Sequence, residues 1–206
     1  DDILPYDSLE KRVKPFLQYP NQDIFTTILL KTFSENRKFN GIVYPKNENN
    51  PNYSAGSLMF KKNIATKIFP IPLDLPNEDV WTSLHLKTFC KNIHIPEVLH
   101  LYRIHSCNTY GYDLHFDEKR NKFLKRMNAY DIFLKRYKLN DFPIKNYLLD
   151  YNKAVKRLKK SKSLLPILVG KNRLSTTERL KFAMYSNKLL FWFRYKLFNI
   201  FSGLSN

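Results

Sequence analysis

Three short stretches carry side chains able to do chemistry. Asp1 and Asp2 stand side by side in "DDILPYDSLEKRV", Glu78 and Asp79 open "NEDVWTSLHLKTF", and Arg103 and His105 close "IPEVLHLYRIHSCNT". Adjacent carboxylates are hard oxygen donors of the kind that hold Mg2+ or Mn2+ together with substrate phosphates. A carboxylate projecting from a helix start into a cleft can take a proton from a nucleophile within hydrogen-bond reach. An arginine matches phosphate geometry, and a histidine at a strand end can ligate a metal or contact phosphate. Each stretch also has a plainer reading. Terminal acids are ordinarily solvated, acids in a first helical turn complement the helix dipole, and a lone histidine is ordinarily structural.

A zinc site drawn from Cys90, His94, His100, His105 and Cys107 is disfavoured. Strand alternation puts His100 and His105 on opposite faces, which a tetrahedral site cannot use. No C-x-x-C pair occurs, and two isolated thiols suit a reducing compartment.

The elements that must position these residues follow from periodicity. Leu9, Val13, Phe16 and Leu17 recur at helical spacing behind Pro5, which predicts a helix over 5–18. "DIFTTILLKTF" (23–33) reads equally as a strand or a short helix. The polar stretch 34–56, rich in Asn and Pro, reads as a loop with one strand at Ile42–Tyr44. "SLMF" reads as a buried strand and "KKNIATKI" as a short helix. The prolines of "FPIPLDLP" stop it. A helix over 77–92 is expected with Asn77 as its N-cap, followed by a strand over 93–105. Its second part sets Val98, His100, Tyr102 and Ile104 on one face and Leu99, Leu101, Arg103 and His105 on the other. From 117 the pattern is helical, over about 117–138, 144–160 and 175–202, broken near Pro166 and Gly170.

The 206 residues carry a net charge of +17, and its distribution matters more than its size. Residues 117–206 hold 22 Lys and Arg against 6 Asp and Glu, whereas residues 1–116 hold 13 against 12. A near-neutral domain followed by a basic helical extension predicts an anionic partner, with a bilayer surface and a nucleic acid as the two classes. No run of 18 apolar residues occurs, so no ordinary membrane span is expected. The segment "KLLFWFRYKLFNIF" (188–201) reads either as a helix packed on the body or as an interfacial helix. In the second case its aromatics enter the headgroup layer while Lys181, Lys188, Arg194 and Lys196 meet anionic lipid. A non-enzymatic nucleic-acid- or membrane-binding module is the alternative to an enzyme. Nothing resembles a recognition helix or an RNP motif, so nucleic acid is the weaker partner.

Taken in order, the acids followed by "ILPYDSLEKRV", then "SAGSLMFKKNI", "LPNEDVWTSLHLKTF" and "IPEVLHLYRIHSCNT" resemble the family 2 glycosyltransferases over roughly residues 1–110. In that family a strand ending in a D-x-D-D type motif is followed by a Gly-containing segment. An "ED" dipeptide then opens a helix, and a "YR.H..N" segment follows. The resemblance implies an α/β fold: the C-terminal part of a GT-A (nucleotide-diphospho-sugar transferase) fold over 1–116, with a mostly helical extension over 117–206. The nucleotide-binding half is then expected upstream of Asp1, and the chain alone is not expected to transfer sugar.

The resemblance further implies transfer of a sugar from a nucleotide-sugar donor to a saccharide or lipid-linked acceptor, with inversion. It makes Asp79 the catalytic base with Glu78 beside it. Asp1 and Asp2 would hold the divalent cation, Mg2+ or Mn2+, with His105 near it. Gly56, with Ser57, would let the backbone approach the substrate closely, and Arg103 would contact it. The Q-x-x-R-W motif of processive polysaccharide synthases is absent, which points to single-sugar transfer. The expected location is cytoplasmic, at the inner face of a membrane.

Overall fold

The computed structural model describes residues 2–105, 115–138 and 142–193, the side chain of Lys38 excepted. It is a mixed α/β chain that divides into two compact units. The first comprises residues 1–72 and 81–112, the second residues 73–80 and 113–206.

The first unit is built around one strand, β1 (Ile24–Phe33), which resolves the ambiguous "DIFTTILLKTF". Its residues are buried almost without interruption, with Ile24, Phe25, Ile28 and Leu29 at 2% exposure or less. A strand covered on both faces loses its period-two signature, so its sequence shows only a β-branched apolar run. β2 (Val43–Tyr44) and β3 (Leu58–Phe60) pair antiparallel along one edge of β1. β4 (Lys91–Arg103) runs parallel along the other, from Ile24↔Lys91 to Phe33↔Arg103. The sheet is therefore mixed. The β1–β4 register shifts twice: Ile28 faces Ile95 but Leu29 faces Val98, and Leu30 then faces His100. The first shift skips Pro96 and Glu97, as expected where proline cannot donate to the ladder. The second skips Leu99, and it interrupts the alternation that grouped Val98 with His100.

Helix α1 (Ser8–Gln18) reverses its expected orientation. Ser8, Arg12 and Pro15 are its buried residues, whereas Leu9, Val13 and Leu17 are exposed. The polar stripe faces inward because it finds partners there: Ser8 Oγ donates to Leu99 O at 2.7 Å, and Arg12 donates to Leu58 O at the start of β3 and to Gly56 O just before it. Lys11, on the outer side, bridges Asp7 and the skipped Glu97. Helix α2 (Lys62–Ile68) contributes Ile64 and Ile68 to the core. Helix α3 (Asp79–Phe89) contributes Trp81, Leu84 and Leu86, and Trp81 Nε1 donates to Ile68 O at 2.8 Å. The helix starts two residues beyond Asn77, so Asn77 is not its N-cap.

The second unit is helical. Helices α4 (Phe116–Arg136) and α5 (Lys145–Lys159) are followed by the short α6 (Leu165–Leu168) and by α7 (Thr176–Ser186). Phe123, Met127, Tyr130 and Phe133 of α4 recur at helical spacing and meet Leu148, Tyr151, Val155 and Leu158 of α5 in a buried core. Tyr130 and Tyr151 stack at 4.1 Å, and Tyr151 meets Phe182 edge-on at 5.1 Å. The start of α7 is a capping box, with Ser175 Oγ accepting from Glu178 N and Glu178 reaching back to Ser175 N. The expected single helix from 175 to 202 breaks at Asn187, whose backbone is extended. Its side chain accepts from Leu189 N at 2.7 Å, and residues 188–193 are helical again. The remainder of "KLLFWFRYKLFNIF", with Arg194 and Lys196, lies outside the described residues. Among the described residues, no helix is long and apolar enough to cross a membrane.

Candidate functional site

The chemistry-bearing residues of the first unit gather where the N-terminal segment meets the far end of β4. Ile3 forms an antiparallel bridge with Leu101, its N–H donating to Leu101 O at 3.0 Å and its C=O accepting from Leu101 N at 2.8 Å. That pairing brings Asp2 to the edge of the sheet. Its carboxylate accepts from the main-chain N–H of Arg103 at 3.0 Å through Oδ1, and it bonds His100 Nε2 at 2.9 Å through Oδ2. Each oxygen so engaged keeps acceptor capacity, since a carboxylate offers about four lone-pair sites. The Asp2 side chain is 37% exposed and that of His100 only 6%. A half-solvated carboxylate is thus aimed from below by a buried imidazole.

The other side of His100 meets the loop before β3. A Cβ built on Gly56 would lie far inside contact distance of His100 Cε1 and Nδ1. Only a residue without a side chain lets the ring lie against this backbone. His100 Nδ1, buried there, has no hydrogen-bond partner among the described residues. The loop is held from beneath by Arg12, which is 5% exposed and donates to Leu58 O at 2.7 Å and to Gly56 O at 3.4 Å. Burial holds its guanidinium below the usual arginine range. Ser57 is fully buried, and its hydroxyl is committed to the carbonyls of Asn52 and Ser54 at 2.9 and 2.7 Å.

No family model, curated protein or solved structure matches this chain.

Of the residues singled out from sequence, Asp2, Gly56 and the main chain of Arg103 therefore come together, with His100 between them. The Arg103 guanidinium lies 5.8 Å from the Phe33 ring centroid. His105 is exposed just beyond the end of β4, and Asp1 lies outside the described residues. Ser57 turns its side chain into its own loop. Asp79 and Glu78 fall in the second unit. Asp79 is half-buried and pairs with Arg126 at 3.2 Å, while Glu78 is exposed. Among the described residues, no three His, Cys, Asp or Glu side chains cluster closely enough to hold a metal ion by themselves. Asp2 supplies one fixed hard-oxygen ligand beside Asp1 in sequence, which fits a cation that binds through one or two carboxylates and completes its shell with water and phosphate.

Arg12 was not singled out from sequence, and His100 was weighed there only as a zinc ligand. The available signal for Arg12 was its place with Ser8 on an i, i+4 polar stripe. His100 carried a weaker one, a histidine inside the otherwise apolar run "VLHLY". Two further histidines of the first unit are engaged structurally: His94 with Thr27 Oγ1 and Glu48 O, and His85 with Trp81 O.

Proposed function

We propose that this chain carries the acceptor-side part of a metal-dependent glycosyltransferase, acting in polysaccharide or glycolipid synthesis. The observation that carries the reading is the Asp2 carboxylate, fixed by the Arg103 N–H and by a His100 ring that is itself seated against Gly56. Preorganised ligands of this kind are what a cation-assisted transfer requires. Asp2 and Asp1 are the residues to hold Mg2+ or Mn2+, which when bound offsets the charge developing on the departing diphosphate. The resemblance would make Asp79 the general base; within the second unit its carboxylate accepts from Arg126 at 3.2 Å. In the transfer the acceptor oxygen forms a bond to the anomeric carbon as its proton passes to Asp79. The carbon–oxygen bond to the diphosphate breaks with inversion, and the nucleotide diphosphate leaves with the electron pair. A lipid-linked acceptor would place the protein at the inner face of a membrane, with the basic second unit toward anionic lipid.

The test is sugar transfer from a panel of nucleotide-sugars, with and without Mn2+, by the protein that carries this sequence. Asp2→Asn and Asp79→Asn are each expected to lower the rate by at least about a hundredfold, the lower range for a general base, with folding intact. Near-normal activity in Asp79→Asn removes that residue from the role. Activity indifferent both to chelation and to Asp2→Asn overturns the metal-dependent reading.

A further inference from the structure

The second unit holds a cavity of about 700 Å3 between α5, the turn after α6 and the start of α7. Three cations line it, Lys171, Arg173 and Arg179, and among the described residues none of them is ion-paired. One carboxylate, Asp150, opposes them, and it accepts from the main-chain N–H of Arg173 at 3.0 Å. Arg179 is locked in place: its guanidinium donates to Leu168 O, Asn172 O and Leu174 O at 3.0, 3.1 and 3.2 Å. Carbonyl oxygens orient a guanidinium without cancelling its charge, so Arg179 is a preorganised cation with donors to spare. The hollow is wide open to solvent, which suits a phosphate presented at a surface rather than an enclosed small molecule.

The rim distinguishes one source of phosphate from another. Leu149 and Val169 line the cavity yet are 45% and 75% exposed, and Leu165, one helical turn before Val169, is 63% exposed. Apolar side chains around a basic hollow gain nothing from a phosphate free in water. They gain area on entering the interfacial layer of a bilayer while the cations meet its headgroups.

We propose that this cavity receives the phosphate of an anionic lipid headgroup at a membrane surface, with Leu149, Leu165 and Val169 entering the interfacial layer. The site does not depend on the glycosyl-transfer reading, and its ligands come from α5–α7 alone. Co-sedimentation with phosphatidylcholine vesicles containing 30 mol% phosphatidylglycerol, roughly a physiological anionic content, tests it on the whole chain. Lys171→Gln/Arg173→Gln is expected to weaken binding at least about tenfold, since each basic residue near an anionic surface contributes about fivefold. Lys159→Gln/Lys160→Gln removes the same charge from exposed positions of the same unit, and a loss under about threefold is expected. Equal losses in the two variants would mean undirected charge attraction and would overturn the site. Leu165→Asn, at an exposed rim position outside the lining, is expected to weaken vesicle binding while leaving the NMR shifts induced by soluble glycerol 3-phosphate in place. Unchanged vesicle binding by Leu165→Asn, with full competition by the soluble phosphate, would overturn the membrane source. Circular dichroism confirms folding of each variant, all of which change exposed side chains.

Discussion

Gly56→Ala is the substitution that tests the site most directly. The new methyl would sit far inside contact distance of the His100 ring, whereas ordinary carbon contacts lie at about 3.5–4.0 Å. The ring is buried and tied to Asp2 Oδ2 at 2.9 Å, so it cannot move aside and keep that bond. Overpacking of this kind costs about 1–3 kcal/mol. The hydrogen bond adds about 1 kcal/mol, taken at the low end for a charged acceptor because Asp2 is partly solvated. A destabilisation of about 3 kcal/mol is expected, or a fall in melting temperature of about 6–12 °C for a chain of this length. His100→Ala loses the same hydrogen bond and leaves a gap, for about 2 kcal/mol. In Gly56→Ala/His100→Ala the methyl enters the vacated space, so the pair should cost little more than His100→Ala alone. The expected coupling is about 3 kcal/mol, well outside the scatter of independent sites. Urea titrations of the four proteins, followed by circular dichroism, measure it. Additivity within about 0.5 kcal/mol would refute the contact and with it the link between the Gly56 loop and Asp2.

Three further outcomes follow from the same structure. Arg12→Ala is expected to cost about 2–3 kcal/mol, because Gly56 O and Leu58 O lose a buried charged donor, and to raise hydrogen exchange at the Ser57 N–H. At Asp131, burial raises the carboxyl but hydrogen bonds from Lys135, Lys156 and Asn152 outweigh it and hold the group well below the usual carboxylate range. Its contribution is therefore present above the unfolded value near pH 4 and is lost as the pH falls below it, so Asp131→Asn should flatten the acid limb of a stability–pH curve. Burial, and then the charge of Asp23, push the Cys90 thiol up to about 11 against a small opposing effect of Lys67. In a Cys107→Ser background Cys90 should react with Ellman's reagent at pH 8 about a hundredfold more slowly folded than in urea; equal rates would contradict its burial.

Element type was legible wherever one face of an element meets water. The helices of the second unit carry apolar residues at helical spacing and fall where periodicity puts them. β1 was ambiguous because both its faces are covered, which erases the signal that separates a strand from a buried helix. The orientation of α1 could not be read from hydrophobicity, since its buried contacts are a serine hydroxyl and a guanidinium seeking main-chain carbonyls. The gap at Asn187 depends on a side chain that accepts from the next helical turn, an event local composition does not announce. At the site, Asp2 and Gly56 were legible as residue types. Their junction was not, because it depends on the register of β4, which shifts at Pro96–Glu97 and again at Leu99 before presenting His100.

The energetics of that junction bear on why it exists. Arg12 Nε and His100 Nδ1 are both buried without a hydrogen-bond partner among the described residues, and both side chains press on the loop that carries Gly56. A buried polar atom left unsatisfied costs about 1–3 kcal/mol, and apolar side chains of similar volume would avoid that cost. A core shaped for stability alone would place a methionine and a leucine here. The polar pair instead fixes two things at once, the carbonyls of Gly56 and Leu58 through Arg12 and the Asp2 carboxylate through His100. Since His100 touches both the glycine and the carboxylate, a shift in either is transmitted to the other through a single packed ring. Through Arg12 and His100, the backbone at Gly56 and the Asp2 carboxylate are thus held as one packed unit, a physical coupling that stands apart from any sequence resemblance.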